Sequence, residues 1–162
     1  AGHTHYRQKR ENLGYMGRLC YAQDVSAVTG ACLMVKKQLY DQVGGLDEEN
    51  FAVSYNDVDF CLKLRKAGYL NVFTPFAEAY HYESKSRGLD QKGEAKLRFE
   101  KERQRLAGRF GKALLRDPFY NPNLTLDMEN FAEAAVLPQY GSAPLGIVQT
   151  QKAGPSEKEQ PI

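Results

Sequence analysis

Apolar residues gather in two contrasting patterns. Residues 25–35 read VSAVTGACLMV, an apolar run interrupted at Thr29-Gly30. Its length and β-branched start predict a buried strand with neighbours on both sides, and Gly30 would let another backbone approach closely. Residues 55–68, YNDVDFCLKLRKAG, instead carry apolar positions three and four apart, which predicts a helix stopped at Gly68. At about 100° per residue, Phe60, Cys61, Leu64 and Ala67 fall within about 80° of Asp57. Asp59 points the other way, onto the stripe of Lys63 and Lys66. One carboxylate is therefore expected to face inward and the other water.

The remaining elements follow from shorter signals. Residues 1–24 are polar, with glycines and Arg7, Lys9, Arg10 and Arg18, and read as a loop that needs a neighbour to order it. Residues 36–43 predict a short helix ended by Gly44-Gly45. An acidic loop, 46–54, leads to the Asp57 helix. Residues 69–74 predict a strand ended by Pro75, and 77–82 a second short one. A charged helix is expected over 90–116, with Ala95, Phe99, Leu106, Phe110 and Leu114 on one face, stopped at Asp117-Pro118. Residues 118–126 read as an extended segment. Residues 132–162 read as a tail, rich in Pro, Gly, Gln, Lys and Glu from about Gly141. The order strand, helix, helix, strand, strand, helix is an α/β mixture with too few strands for a complete doubly wound sheet. Half a fold is the natural reading, and a start at Ala1-Gly2-His3 rather than Met agrees with it. Without its other half, the strand over 25–35 would expose an edge, so a homodimer through that edge is expected.

Composition narrows the classes. A chain of 162 residues that is 42% hydrophobic can build one core. A net charge of +2 gives little reason to expect nucleic acid or an anionic membrane as partner. The basic helix carrying Lys96, Arg98, Lys101, Arg103, Arg105, Arg109 and Lys112 is interleaved with Glu94, Glu100 and Glu102, as on a solvated helix face. The three cysteines, Cys20, Cys32 and Cys61, cannot all pair, and Cys32 and Cys61 sit in apolar runs that predict buried thiols. A reducing, cytoplasmic compartment fits. There is no signal-peptide pattern and no transmembrane-length run.

Three constellations could carry chemistry. In Asn56-Asp57-Val58-Asp59, an inward carboxylate at a helix start suits a general base. The local alternative is capping: Asn56 as N-cap, both acids on the helix dipole, and Asp59 paired with Lys63 at i,i+4. The two acids diverge by about 200° on a helix, which argues against their sharing a metal ion. In Tyr80-His81-Tyr82-Glu83-Ser84-Lys85-Ser86-Arg87, a histidine at a strand end precedes hydroxyls, a carboxylate and cations, a set able to hold a metal-bound phosphate, or equally an ordinary surface turn. Thr29-Gly30-Ala31 and Gly44-Gly45-Leu46-Asp47-Glu48 match no phosphate-binding loop and read locally as turns.

Together these segments resemble the C-terminal half of family 2 glycosyltransferases, inverting enzymes of the GT-A fold. The resemblance lies in residues 28–37 (VTGACLMVKK), 43–48 (VGGLDE), 56–64 (NDVDFCLKL), 67–69 (AGY), 80–84 (YHYES) and 117–124 (DPFYNPNL), and spans roughly residues 1–131. It is nearest to bacterial enzymes that build rhamnose-containing or O-antigen polysaccharides. The resemblance implies a partial GT-A-like fold, the acceptor-side half of the enzyme. It also implies a nucleotide-diphospho-sugar donor and a glycan acceptor. Asp57 matches the catalytic base and His81 the histidine near the diphosphate and its metal. Arg87 would assist the leaving group. Thr29, Gly30 and the turn from Gly45 to Asp47 would lie where donor and acceptor sugars meet. Asn56 stands where a glutamate is common, keeping a capping residue and removing one charge. The nucleotide-binding half, with the Asp-x-Asp that holds Mn²⁺ or Mg²⁺, is expected outside these 162 residues, so the isolated chain should bind nucleotide sugar weakly or not at all. A non-catalytic carbohydrate-binding or scaffold domain of the same descent is the alternative.

Overall fold

The computed structural model describes residues 4–5, 9–80, 93–125 and 131–134. A short strand β1 (Gln23–Val25) pairs antiparallel with β2 (Asn71–Phe73), Asp24 opposite Val72. Between them lie α1 (Lys37–Gln42) and α2 (Asn56–Lys66), and a long helix, α3 (Gly93–Leu115), follows. The mixed α/β class is as expected. The helices stand close to their predicted positions, and both strands are shorter than their apolar runs.

The strand over residues 25–35 does not form. Only Val25 is in a strand, and Gly30–Cys32 is a turn of 3-10 helix whose entry is capped by the Thr29 hydroxyl, which accepts from Ala31 N–H. Side chains take over the backbone groups that a sheet would have paired. Asn71 Nδ2 donates to Ser26 O at 3.0 Å, and Gly30 N–H donates to Asp57 at 2.9 Å. A chain whose polar groups are met this way can wrap around a helix end instead of extending. Met34 is left 98% exposed and Cys32 is exposed, against the expectation of a buried thiol; Cys61 is buried as expected. The edge on which the homodimer expectation rested is therefore not present. Residues 77–80 form no strand, and the rest of that predicted element lies outside the described residues.

α2 is the central element of the core. Asp59, Phe60, Cys61, Leu62 and Leu64 are all buried, an arc reaching most of the way round the helix. Phe51 of the preceding loop and Leu106 of α3 are buried as well, and Arg109 of α3 lies over the Phe51 ring. This double-sided burial overturns the expectation that Asp59 faces water: it is fully buried, and α3 supplies the cation that makes this tolerable. Period alone assigns an acid to the solvent face, and it cannot see a second helix arriving on that face from fifty residues away.

The N-terminal loop finds its neighbour at the other end of the described chain. Tyr15 stacks nearly parallel on Phe131 at 5.0 Å, with His5 at 5.1 Å and Tyr120 at 5.7 Å from the same ring. Residues 117–125 are held in turn. Asp117 accepts from the Ser26 hydroxyl at 2.6 Å, Ser26 accepts from Arg65, and the Arg65 guanidinium lies over Phe119. Among the described residues, no helix is long and apolar enough to cross a membrane.

Candidate functional site

The site begins at the start of α2. Tyr55 takes a left-handed conformation (φ 63°) that turns the chain into the helix, and its ring packs on Phe99 of α3. Asn56 is the first helical residue rather than the cap, and its Oδ1 accepts from Asp57 N–H at 2.7 Å. Asp57 is half-buried, and each of its oxygens is held by one backbone N–H. Oδ1 accepts from Val58 at 2.8 Å and Oδ2 from Gly30 at 2.9 Å.

Gly30 is what permits that second contact. A Cβ at position 30 would stand 3.3 Å from the Asp57 Cβ and 3.7 Å from Oδ2. The close backbone approach expected of Gly30 is thus made, to a side chain rather than to another strand. Thr29 and Gly30 are exposed, so the face of Asp57 beside them is open. A carboxylate has about four acceptor positions. Two backbone donors fix its orientation and leave capacity to accept a proton from a hydroxyl placed at that open face.

The turn from Gly45 to Asp47 is built separately and bolted to α2. Gly45 is buried at φ +59°, and a Cβ there would meet the Tyr40 ring at 2.7 Å. Tyr40 returns a contact by accepting from Leu46 N–H at 3.2 Å. Lys63 of α2 donates to Gly45 O at 2.6 Å and lies 3.3 Å from Asp59, the i,i+4 pair foreseen in the sequence. Asp47 accepts from Asn50 N–H and Nδ2, each at 3.0 Å, and pairs with Arg109 at 2.8 Å. Burial works against charge on Asp47, but the hydrogen bonds from Asn50 and Arg109 outweigh it and hold the carboxyl at about 2. Arg109 also pairs with Asp59 at 2.6 Å, with its guanidinium over the Phe51 ring at 5.1 Å. Partial burial opposes its charge, yet the two carboxylates raise its pKa.

The structure therefore brings Thr29, Gly30, Asn56 and Asp57 together. It places Gly45 and Asp47 on a turn tied to the same helix. The Asp47 carboxylate is occupied by Arg109 and Asn50. His81 and Arg87 lie outside the described residues. Asp57 and Asp59 serve different partners, backbone N–H groups of Gly30 and Val58 for the first and Arg109 and Lys63 for the second, and the described residues include no cluster of three or more His, Cys, Asp or Glu able to hold a cation. Sequence reasoning missed Arg109 and Glu102, whose side chain accepts from Ser54 N–H at 2.7 Å just before α2. Neither carries a local signal, because each acts about fifty residues from its partner.

Comparison with known proteins bears on the class of the chain. No family model matches the chain, and no solved structure matches it. The uncharacterised protein y4gI of Sinorhizobium fredii is 47% identical over 131 residues, 81% of this chain and 14% of that protein. The N-acetylglucosaminyl-diphospho-decaprenol L-rhamnosyltransferase of Mycobacterium tuberculosis is 38% identical over 87 residues, 54% of this chain and 26% of the enzyme. The O-antigen biosynthesis protein RfbC of Myxococcus xanthus is 32% identical over 129 residues, 78% of this chain and 10% of that protein. The two functionally named relatives support a glycosyltransferase family for this chain. The chain spans about a quarter or less of each relative's length.

Proposed function

We propose that this chain is the acceptor-side part of an inverting glycosyltransferase of the family 2, GT-A type, active in bacterial polysaccharide or O-antigen assembly. Asp57 is the catalytic base. Its carboxylate takes the proton from an acceptor hydroxyl as that oxygen bonds to the anomeric carbon of a nucleotide-diphospho-sugar. The bond from that carbon to the diphosphate breaks with its electron pair, and nucleoside diphosphate leaves. Thr29, Gly30 and the turn from Gly45 to Asp47 border the acceptor and donor sugars, and Asn56 steadies the first turn beneath the base. The family resemblance gives Arg87 the role of assisting the diphosphate leaving group and His81 a role near the diphosphate, and any Mn²⁺ or Mg²⁺ of the complete enzyme would take its other ligands from elsewhere.

The observation that carries this reading is the contact between Gly30 N–H and Asp57. It fixes an otherwise ordinary helix-start acid at an open face, formed by a segment that the family resemblance also singles out. The names of the relatives add rhamnosyl transfer and O-antigen synthesis as the chemistry to try first. The complete protein containing this chain should transfer sugar from a nucleoside-diphosphate donor, and nuclear magnetic resonance of the product should show the anomeric configuration inverted. Retention of configuration would overturn the proposal. Glycan binding without transfer across a panel of such donors would favour a scaffold domain instead.

A further inference from the structure

α3 lies across the loop that leads into α2 and holds it at successive turns. Phe99 packs its ring on Tyr55 with centroids 5.3 Å apart. Glu102, 2% exposed, accepts from Ser54 N–H, and Arg105 donates to Asn50 O at 3.1 Å. Arg109 then spans Asp47 on the loop and Asp59 on the helix, at 2.8 and 2.6 Å.

We infer that Arg109 is a positioning residue for the reaction proposed at Asp57, with Asp59 as its anchor. The inference rests on that proposed reaction. Asp59 is two residues beyond Asp57 on one rigid helix, and Asp47 is two residues beyond Gly45. Bridging the two carboxylates sets the distance between the base and the turn from Gly45 to Asp47. A forked guanidinium can serve two carboxylates on separate elements at once, whereas an ammonium is a single point of charge. Reacting groups tolerate little displacement, and a shift of about 1 Å can cost on the order of a hundredfold in rate. The bridge thus gives a distant helix control over the site without touching substrate.

The test uses the complete protein, assayed with N-acetylglucosaminyl-diphospho-decaprenol as acceptor and a panel of nucleoside-diphosphate sugars that includes the L-rhamnose donor. Arg109→Lys keeps the charge and loses the fork. The expected result is a fall in kcat per folded molecule on the order of tenfold or more, with donor Kd by calorimetry within about twofold of wild type. A bridge that serves stability alone would lower the denaturation midpoint and leave kcat per folded molecule unchanged; that result overturns the inference. Asp59→Asn weakens the helix side of the bridge, leaves Arg109 with Asp47 and Lys63 with Gly45 O as partners, and touches no residue assigned to the sugars, so it supplies the same readout if Arg109→Lys folds poorly. Asp57→Asn in the same assay separates the two levels. If it retains full activity, or if the wild type transfers nothing across the panel, the underlying reaction is wrong. If it is inactive while both bridge variants keep wild-type kcat, only the positioning role fails.

Discussion

Replacing Asp59 with alanine should destabilise the fold far more than the same change at Asp57. Asp59 is fully buried, paired with Arg109 at 2.6 Å and Lys63 at 3.3 Å. Removing one member of a fully buried pair costs about 3–5 kcal/mol, because the partner is stranded in a low-dielectric interior. Here the stranded side chains are not sealed off. Arg109 is 36% exposed and Lys63 19%, and they keep Asp47 and Gly45 O respectively as acceptors. Partial rehydration lowers the expected loss to about 1.5–3 kcal/mol, the range for charged hydrogen bonds. Asp57→Ala removes a half-buried first-turn carboxylate whose contact outside its own helix is Gly30 N–H, and should cost only about 1 kcal/mol. Urea denaturation of residues 1–162, followed by far-ultraviolet circular dichroism, measures both. A loss below about 1 kcal/mol for Asp59→Ala would refute the assignment of Asp59 as the buried anchor of α2, since exposed pairs contribute about 0.2–1 kcal/mol.

Two further effects follow from the same geometry. Gly45→Ala should cost about 2–4 kcal/mol, because the new Cβ meets the Tyr40 ring and the left-handed backbone disfavours any side chain; an unchanged urea midpoint would contradict this. Asp47, held at about 2 against an ordinary 3.8, contributes stability that is complete above its unfolded pKa and is lost as pH falls towards about 2. The difference in unfolding free energy between wild type and Asp47→Asn should therefore shrink across that acid window, from roughly 2 kcal/mol or somewhat less at neutral pH, and a difference independent of pH would argue against the Arg109 and Asn50 contacts.

How far the sequence carried this depends on the range of each signal. The α2 helix and its stop at Gly68 rest on spacing within a dozen residues and are legible from period and punctuation; Asp57, expected to face inward, is half-buried at an open face, and Asp59 is the acid that is fully buried. The i,i+4 pair of Asp59 and Lys63 is equally local. The strand over residues 25–35 failed because apolar continuity does not reveal which groups will satisfy the backbone. There, Thr29, Asp57 and Asn71 side chains did so, and a strand became a wrapped turn. Asp59 was placed on the wrong side because its burial depends on Arg109, and nothing near position 59 announces a guanidinium fifty residues later. The pairing of the N-terminal loop with Phe131 is the same kind of fact, requiring the two ends of the described chain to meet. Motif resemblance reached further than periodicity at the site. It selected Thr29, Gly30 and Asp57 together, three residues that the structure places side by side.

The central claim is that Asp57 takes a proton during sugar transfer, and the rate of transfer by the complete protein carrying Asp57→Asn tests it most directly. The amide keeps the shape and one of the two backbone hydrogen bonds, so glycan binding should stay close to wild type and stability should fall by only about 1 kcal/mol. Loss of a general base should lower the rate on the order of a hundredfold to ten-thousandfold. A variant that is folded, binds glycan and transfers sugar within a few-fold of the wild-type rate would contradict the account.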